Sequence, residues 1–172
     1  MNRVALVSLC LLTLVSCSRP GPAYQKVTAL DVSADAPTGT VLTVTDASGH
    51  STSFTRGDLA ALGLVTYTTP DPSLKNRPVR YVGPLLSDLL RRTGIPQDAT
   101  LHLVAHDRYT TNLDLKPLKD VPLVLALEAD GKALKLSDQG PVYLVFPYQA
   151  YKLNTAKYDS AWVWQLERIE AR

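Results

Sequence analysis

The chain is expected to fold as an α+β domain around a mixed sheet. Three observations lead there. Short runs of β-branched and aromatic residues recur along most of the chain, while only one segment carries a clear helical stripe. The 172 residues suit a single domain. Hydrophobic residues make up 45% and charged residues 20%, enough to bury a core without staples.

The elements follow in order. Val41 to Thr45 alternates and reads as a strand, and Asp46 to Gly49 is turn chemistry. His50 to Thr55 returns as a second hairpin arm. Arg56 to Gly63 is a short helix ended by Gly63. Leu64 to Thr68 is strand-like. Pro70, Asp71, Pro72, Asn76 and Pro78 then predict an irregular loop. Gly83-Pro84 opens the clearest helix, with Pro84 in its first turn. Leu85, Leu86, Leu89 and Leu90 form its apolar stripe, Arg91 and Arg92 complement its dipole, and Gly94 and Pro96 end it. Thr100 to Ala105 and Tyr109 to Leu113 are strands around Asp107-Arg108. Val121 to Ala129 is one continuous apolar strand, closed by the hairpin signal Asp130-Gly131. Pro141 to Pro147 is another buried strand. A polar, tyrosine-rich loop spans Tyr148 to Ser160. Trp162 to Ala171 closes the chain as a strand whose Trp162 and Trp164 share one face over the core.

The first sixteen residues read as an address. Arg3 precedes an apolar run from Val4 to Val15, too short to span a bilayer and suited to a secretory signal. Leu14-Val15-Ser16-Cys17 resembles the bacterial lipobox, in which the cysteine thiol takes a diacylglyceryl group. Residues 1–16 are expected to be removed. Residues 17–37 form the lipidated cysteine and a tether, Pro/Gly-rich from Ser18 to Ala23. Residues 38–172 form the folded domain. Several acyl chains anchor stably, since each buried CH2 contributes about 0.8 kcal/mol. The expected location is extracytoplasmic, anchored to a bacterial membrane facing the periplasm. Ser18 rather than Asp after Cys17 points to the outer membrane in a Gram-negative host.

Net charge is +2 with no basic run, which argues against nucleic acid as a partner. The two cysteines, Cys10 and Cys17, exclude a disulfide framework, a cysteine-rich zinc site and an iron–sulfur cluster. His102 and His106 are four apart. On a strand that is roughly 13 Å, at about 3.3 Å per residue, so joint chelation is not expected. Ser87 does not sit in a nucleophile elbow, and phosphate-binding glycine loops are absent.

The Tyr148–Ser160 segment is the most suggestive for binding. It offers Tyr148, Tyr151, Lys152, Asn154, Lys157, Tyr158 and Asp159. Tyr67, Asp107 and Tyr109 would face it if they leave the sheet on the same side. The candidate ligand-binding set is thus Tyr67, Asp107, Tyr109, Tyr148, Tyr151, Lys152, Tyr158 and Asp159. Two readings stay open: the rim of a pocket, or a solvated loop whose tyrosines lie on the core. For Asp107 a turn role competes with a catalytic one.

Five motifs, in order, resemble the sulfite-oxidase-type molybdopterin-binding domain. Tyr81 to Leu90 resembles its "aromatic-x-Gly-x-x-Leu-x-Asp-Leu-Leu" helix. Val104 to Tyr109 is similar to "V-A-x-D-G-Y", and Leu125 to Leu134 to "L-A-x-x-x-D-G-K-x-L". Gly140 to Pro147 resembles "G-P-x-R-L-V-x-P", and Trp162 to Glu170 the closing "W-V-x-x-L-x-x-I-x-V". The resemblance runs from about Val41 to Glu170 and implies that family's mixed-sheet fold. It also implies the molybdopterin cofactor, whose molybdenum takes one protein cysteine upstream of the Gly-x-x-Leu helix. The corresponding region, Val65 to Val79, holds no cysteine, and the glycine of "D-G-Y" is Arg108. Soft thiolate ligation needs a thiol, so no bound cofactor is expected. The resulting expectation is a non-catalytic binding or sensing module, with a small molecule or a periplasmic protein as partner. Two alternatives remain: a molybdopterin-dependent oxidoreductase with a non-cysteine ligand, and an accessory subunit that docks a periplasmic protein.

Overall fold

The computed structural model describes residues 24–30 and 36–172. The expected signal peptide, Cys17 and the tether as far as Ala23 lie outside the described residues.

Strands β1 (Gln25–Val27), β4 (Leu64–Asp71), β5 (Arg77–Gly83), β9 (Glu128–Ala129) and β10 (Lys132–Ala133) form an antiparallel sheet in the order β1-β4-β5-β9-β10. A second sheet runs β3 (Ser51–Thr55), β2 (Thr40–Thr45), β12 (Leu166–Ala171), β6 (Thr100–Ala105) and β7 (Thr110–Asp114). It is mixed, because β12 lies parallel to β2 and antiparallel to β6. Strands β8 (Val124–Ala126) and β11 (Tyr143–Val145) pair between them as a two-stranded ribbon. Every residue of this ribbon is buried. The expected α+β mixed-sheet class is what is found.

Several elements follow their local chemistry. The β2–β3 turn is held by Asp46, whose Oδ1 accepts from the Ser48 and His50 amides at 2.9 and 3.0 Å. Helix α1 (Arg56–Ala61) starts in a capping box: the Asp58 amide donates to Thr55 Oγ1, and the Thr55 amide to Asp58 Oδ2. Gly63, at φ +104°, follows its end. Helix α2 (Leu86–Arg92) buries Leu86, Leu89 and Leu90 of the expected stripe, while Leu85 is its half-buried N-cap. Asp130 and Gly131 both take positive φ, as a primed hairpin turn requires.

Other expectations are corrected. The proline-rich stretch is not an irregular loop, because β4 and β5 run through it as a hairpin. Pro70 faces Pro78, and two residues without N–H groups fit only a non-hydrogen-bonded pair. The turn itself is a 3-10 turn, Pro72–Leu74, followed by Lys75 and Asn76 at positive φ. Gly83 ends β5 and Leu85 caps α2, so Pro84 precedes the helix. The apolar run Val121–Ala129 is two strands, because the chain changes sheets at Leu127, whose amide donates to Val82 O. Periodicity cannot show such a corner when both pieces are buried. Tyr148–Ser160 contains helices α3 (Tyr148–Tyr151) and α4 (Thr155–Tyr158) and continues into the 3-10 turn Asp159–Ala161. Trp162 and Trp164 precede β12, and Trp164 is 45% exposed. Gln25–Val27, which the sequence reading left in the tether, adds an edge strand beside β4.

Two long-range contacts hold the layers. Arg56, at the head of α1, places Nη2 2.7 Å from Glu128 Oε1 of β9, with both side chains largely buried. Its Nη1 also donates to Leu127 O at 3.3 Å. The second contact is backbone on backbone: a Cβ added at Gly83 would lie 1.9 Å from Leu125 O. Gly83 is needed for this approach rather than for a turn. Gly83→Ala is therefore expected to force β5 off β8 and to cost about 3 kcal/mol or more, read as a lowered urea midpoint at unchanged m-value.

Candidate functional site

Asp71 ends β4 and is fully buried. Its Oδ1 accepts from the Ser73 amide at 2.8 Å and the Ser73 hydroxyl at 2.5 Å, which shapes the 72–74 turn. Its Oδ2 accepts from the Tyr81 hydroxyl in a short contact and from Gln139 Nε2 at 3.3 Å. The Tyr143 hydroxyl reaches both oxygens, at 3.3 and 3.4 Å. Gln139 also ties to Ser73 Oγ at 2.8 Å. Four chain segments thus converge on one carboxylate: the 72–74 turn, β5, the loop before Pro141, and β11.

Aromatic rings enclose it. Tyr81 and Tyr143 meet edge to face at 5.7 Å, and Trp162 meets Tyr143 at 5.5 Å. Trp164 covers Tyr143 from outside at 6.5 Å. Burial first, then the hydrogen bond and charge of Asp71, push the Tyr81 phenol well above its ordinary value. Burial first, then the Asp71 charge, do the same to Tyr143. Both therefore remain protonated donors to the carboxylate. Trp162 Nε1 is buried without a hydrogen-bond partner, although its proximity favours the phenolate of Tyr148 slightly.

The eight residues expected at a binding site are placed as follows. Tyr67 is buried in β4 and donates to Val145 O at 2.9 Å. The Tyr148 hydroxyl donates to Asp159 Oδ1 at 3.1 Å. Tyr148 and Tyr158 stack on Phe146 at 5.8 and 5.9 Å. Tyr109 is exposed, and its hydroxyl donates to Ser160 O at 2.9 Å. Asp107 accepts from the Tyr109 amide at 2.9 Å, the turn role weighed for it. Tyr151 is half-buried, and Lys152 is exposed at φ +50°. Tyr148, Tyr158 and Asp159 come together around Phe146, while Asp107 stays in its own turn. None of the eight lines the cavity of about 400 Å³ beside β2 or that of about 460 Å³ beside β1. His102 pairs with Asn112 at 2.9 Å, and His106 lies 4.0 Å from Glu167, so the two histidines serve separate neighbours.

Sequence reading missed the Asp71 cluster. The one signal was Asp71-Pro72-Ser73, an Asx-turn pattern. Nothing local marks that carboxylate as buried, because its partners Gln139 and Tyr143 lie 68 and 72 residues away.

A two-sheet α+β domain with a central ribbon and a Gly-x-x-Leu helix after the β4–β5 hairpin is of the sulfite-oxidase-like class. The family described as "oxidoreductase molybdopterin binding domain" matches residues 73–167, and the chain belongs to it. Among solved structures, the sulfane dehydrogenase SoxCD from Paracoccus pantotrophus is similar at a TM-score of 0.58 and 21% identity. The match covers 76% of this chain and 37% of that one, so the likeness is one of fold and spans little more than a third of the larger chain. No curated protein matches the chain.

The donor set does not fit a molybdenum ligand at the hub. Both cysteines lie outside the described residues. Among the described residues, no group of three or more His, Cys, Asp or Glu side chains is placed to hold a metal. Asp71 is the carboxylate in the segment where the resemblance puts the cysteine, and its oxygens are already engaged by five donors.

Two outcomes follow. Asp71→Asn replaces an acceptor-only group with one that carries donors, and it is expected to cost about 3 kcal/mol in a denaturant melt. The phenols of Tyr67, Tyr81, Tyr143 and Tyr148 are all raised, so folding holds their protons where the unfolded chain releases them. Their stabilisation is complete below about pH 10, the unfolded value, and is lost as pH rises past it. An ultraviolet titration should show these four ionising in one step together with loss of near-ultraviolet circular dichroism.

Proposed function

We propose that this protein is a lipid-anchored extracytoplasmic module that binds rather than catalyses, built on a molybdopterin-type domain without metal ligation. The observation that carries this reading is the Asp71 hub. The alternative of an enzyme with an oxygen ligand needs a free oxygen donor in the Val65–Val79 segment. Asp71 is the buried candidate there. Turning it toward a metal would take the acceptor away from Tyr81, Tyr143, Ser73 and Gln139, and each buried donor left unpaired costs about 1–3 kcal/mol. The anchoring part rests on Arg3, the apolar run and the Leu14–Cys17 lipobox. Among the described residues no helix is long and apolar enough to cross a membrane.

The test uses full-length protein extracted from the membranes of its own host. Elemental analysis and pterin fluorescence after acid extraction are expected to give neither molybdenum nor pterin, and stoichiometric molybdenum would overturn the reading. Mass spectrometry is expected to find a diacylglyceryl adduct on Cys17. The variant Cys17→Ser should lose that adduct, and membrane retention of the unlipidated variant would remove the anchor from the proposal.

A further inference from the structure

The second sheet is irregular at one end. Strand β2 carries a register shift between Thr40 and Leu42 against β3, which makes Val41 an extra residue. Strand β12 carries one between Leu166 and Arg168 against β6, which makes Glu167 an extra residue. Both bulges face the same place. The parallel pairing of β2 with β12 starts only at Thr43 and Arg168. Before that point the two strands part, and the gap between them is the cavity of about 400 Å³. Gln165, the residue that enters the bulge, has φ +49°, a left-handed conformation that costs a non-glycine residue about 1 kcal/mol or more. Paired bulges and a strained residue at one cavity are how a strand re-aims side chains toward a site.

The lining states what would fit. Leu136 and Pro141 supply the accessible apolar wall, with Val41 and Leu166 buried behind it. The polar lining holds one carboxylate, Glu167, among neutral side chains and one imidazole. Glu167 brings a half-exposed carboxylate, with the His106 ring 4.0 Å away. Gln165 donates through Nε2 to Leu136 O at 2.7 Å and Asp138 O at 3.4 Å, which pins the 136–138 wall to this end of β12. Thr38 and Thr40 add hydroxyls. The volume lies in the range of small-molecule sites. An apolar body fits the walls, and a cationic donor fits Glu167, whereas a carboxylate would meet Glu167 at close range.

We propose that this cavity is the binding site of the module and that it takes a small apolar amine, with the ammonium on Glu167 and the hydrocarbon against Leu136 and Pro141. This rests on the binding-module reading above, and it places the ligand away from both the Asp71 hub and the tyrosine-rich segment.

The experiment titrates 2-phenylethylamine and, separately, phenylacetate into the purified full-length protein at pH 8, followed by amide chemical shifts. The amine should shift Val41, Leu166 and Glu167, and phenylacetate should bind at least fivefold more weakly. Glu167→Gln changes one exposed atom and should weaken the amine about fivefold, the scale of a half-exposed charge pair. Thr40→Trp, at an exposed wall position, should abolish binding while leaving the melting curve near that of the parent. Equal affinity for amine and acid, amine binding that survives Thr40→Trp, or no amine binding would each overturn the proposal. The molybdenum and pterin assays read the non-catalytic reading independently, so the two failures are distinguishable.

Discussion

A single buried carboxylate organises the centre of this domain. A charge taken out of water is tolerable only when its lone pairs are filled. Asp71 meets that requirement by drawing on residues far apart in the chain: Ser73 beside it, Tyr81 across the hairpin, and Gln139 and Tyr143 beyond the sheet corner. Each donor fixes the segment that carries it. The Ser73 bonds set the turn that lets β4 and β5 pass through their prolines. The Tyr143 hydroxyl sets the rotation of β11, and with β11 comes the ring against which Trp162 and Trp164 pack. The aromatic shell in turn keeps water away, which makes an unfilled lone pair costly and the arrangement self-consistent.

The corner between the sheets imposes a second constraint. The run from Val124 to Ala129 must leave β11 and join β5 within a few residues. Gly83 permits this by letting Leu125 O approach its bare Cα, and the Arg56–Glu128 pair then ties β9 to α1 of the other layer. A buried pair of this kind adds little net stability but makes a displaced partner expensive. It therefore selects one relative placement of the layers.

How much was legible depended on whether the cause was local. The Asp46–Gly49 turn, the leucine stripe of α2 and the Asp130-Gly131 hairpin each carry their reason within a few residues, and each formed as expected. Pro70 and Pro78 read as loop because a proline's tolerance in a sheet depends on which residue faces it, and only the register shows that they face each other. The break at Leu127 was invisible because both halves of the run are buried. At the candidate site, Asp107 was legible as a turn residue, since its acceptor role lies two residues away. The tyrosines were legible as aromatic but not as inward-facing. Tyr148 and Tyr158 turn in because two short helices fold that segment back onto Phe146.

The same logic separates the parts of this fold that are locked from those that are free to act. Around Asp71 the polar atoms of four segments answer one another, so a guest there would have to replace bonds already made. At the open end of the second sheet the accounting is different. Two strands bulge, Gln165 is held in a strained conformation, and the space between them opens onto the half-exposed Glu167 carboxylate. Strain persists only where the surroundings enforce it, and an open, strained sheet edge is a better guide to a working surface than a cluster of suggestive side chains. By that criterion Tyr148 and Tyr158, whose rings stack on Phe146, act as scaffold, and the proposed site lies in the gap between β2 and β12.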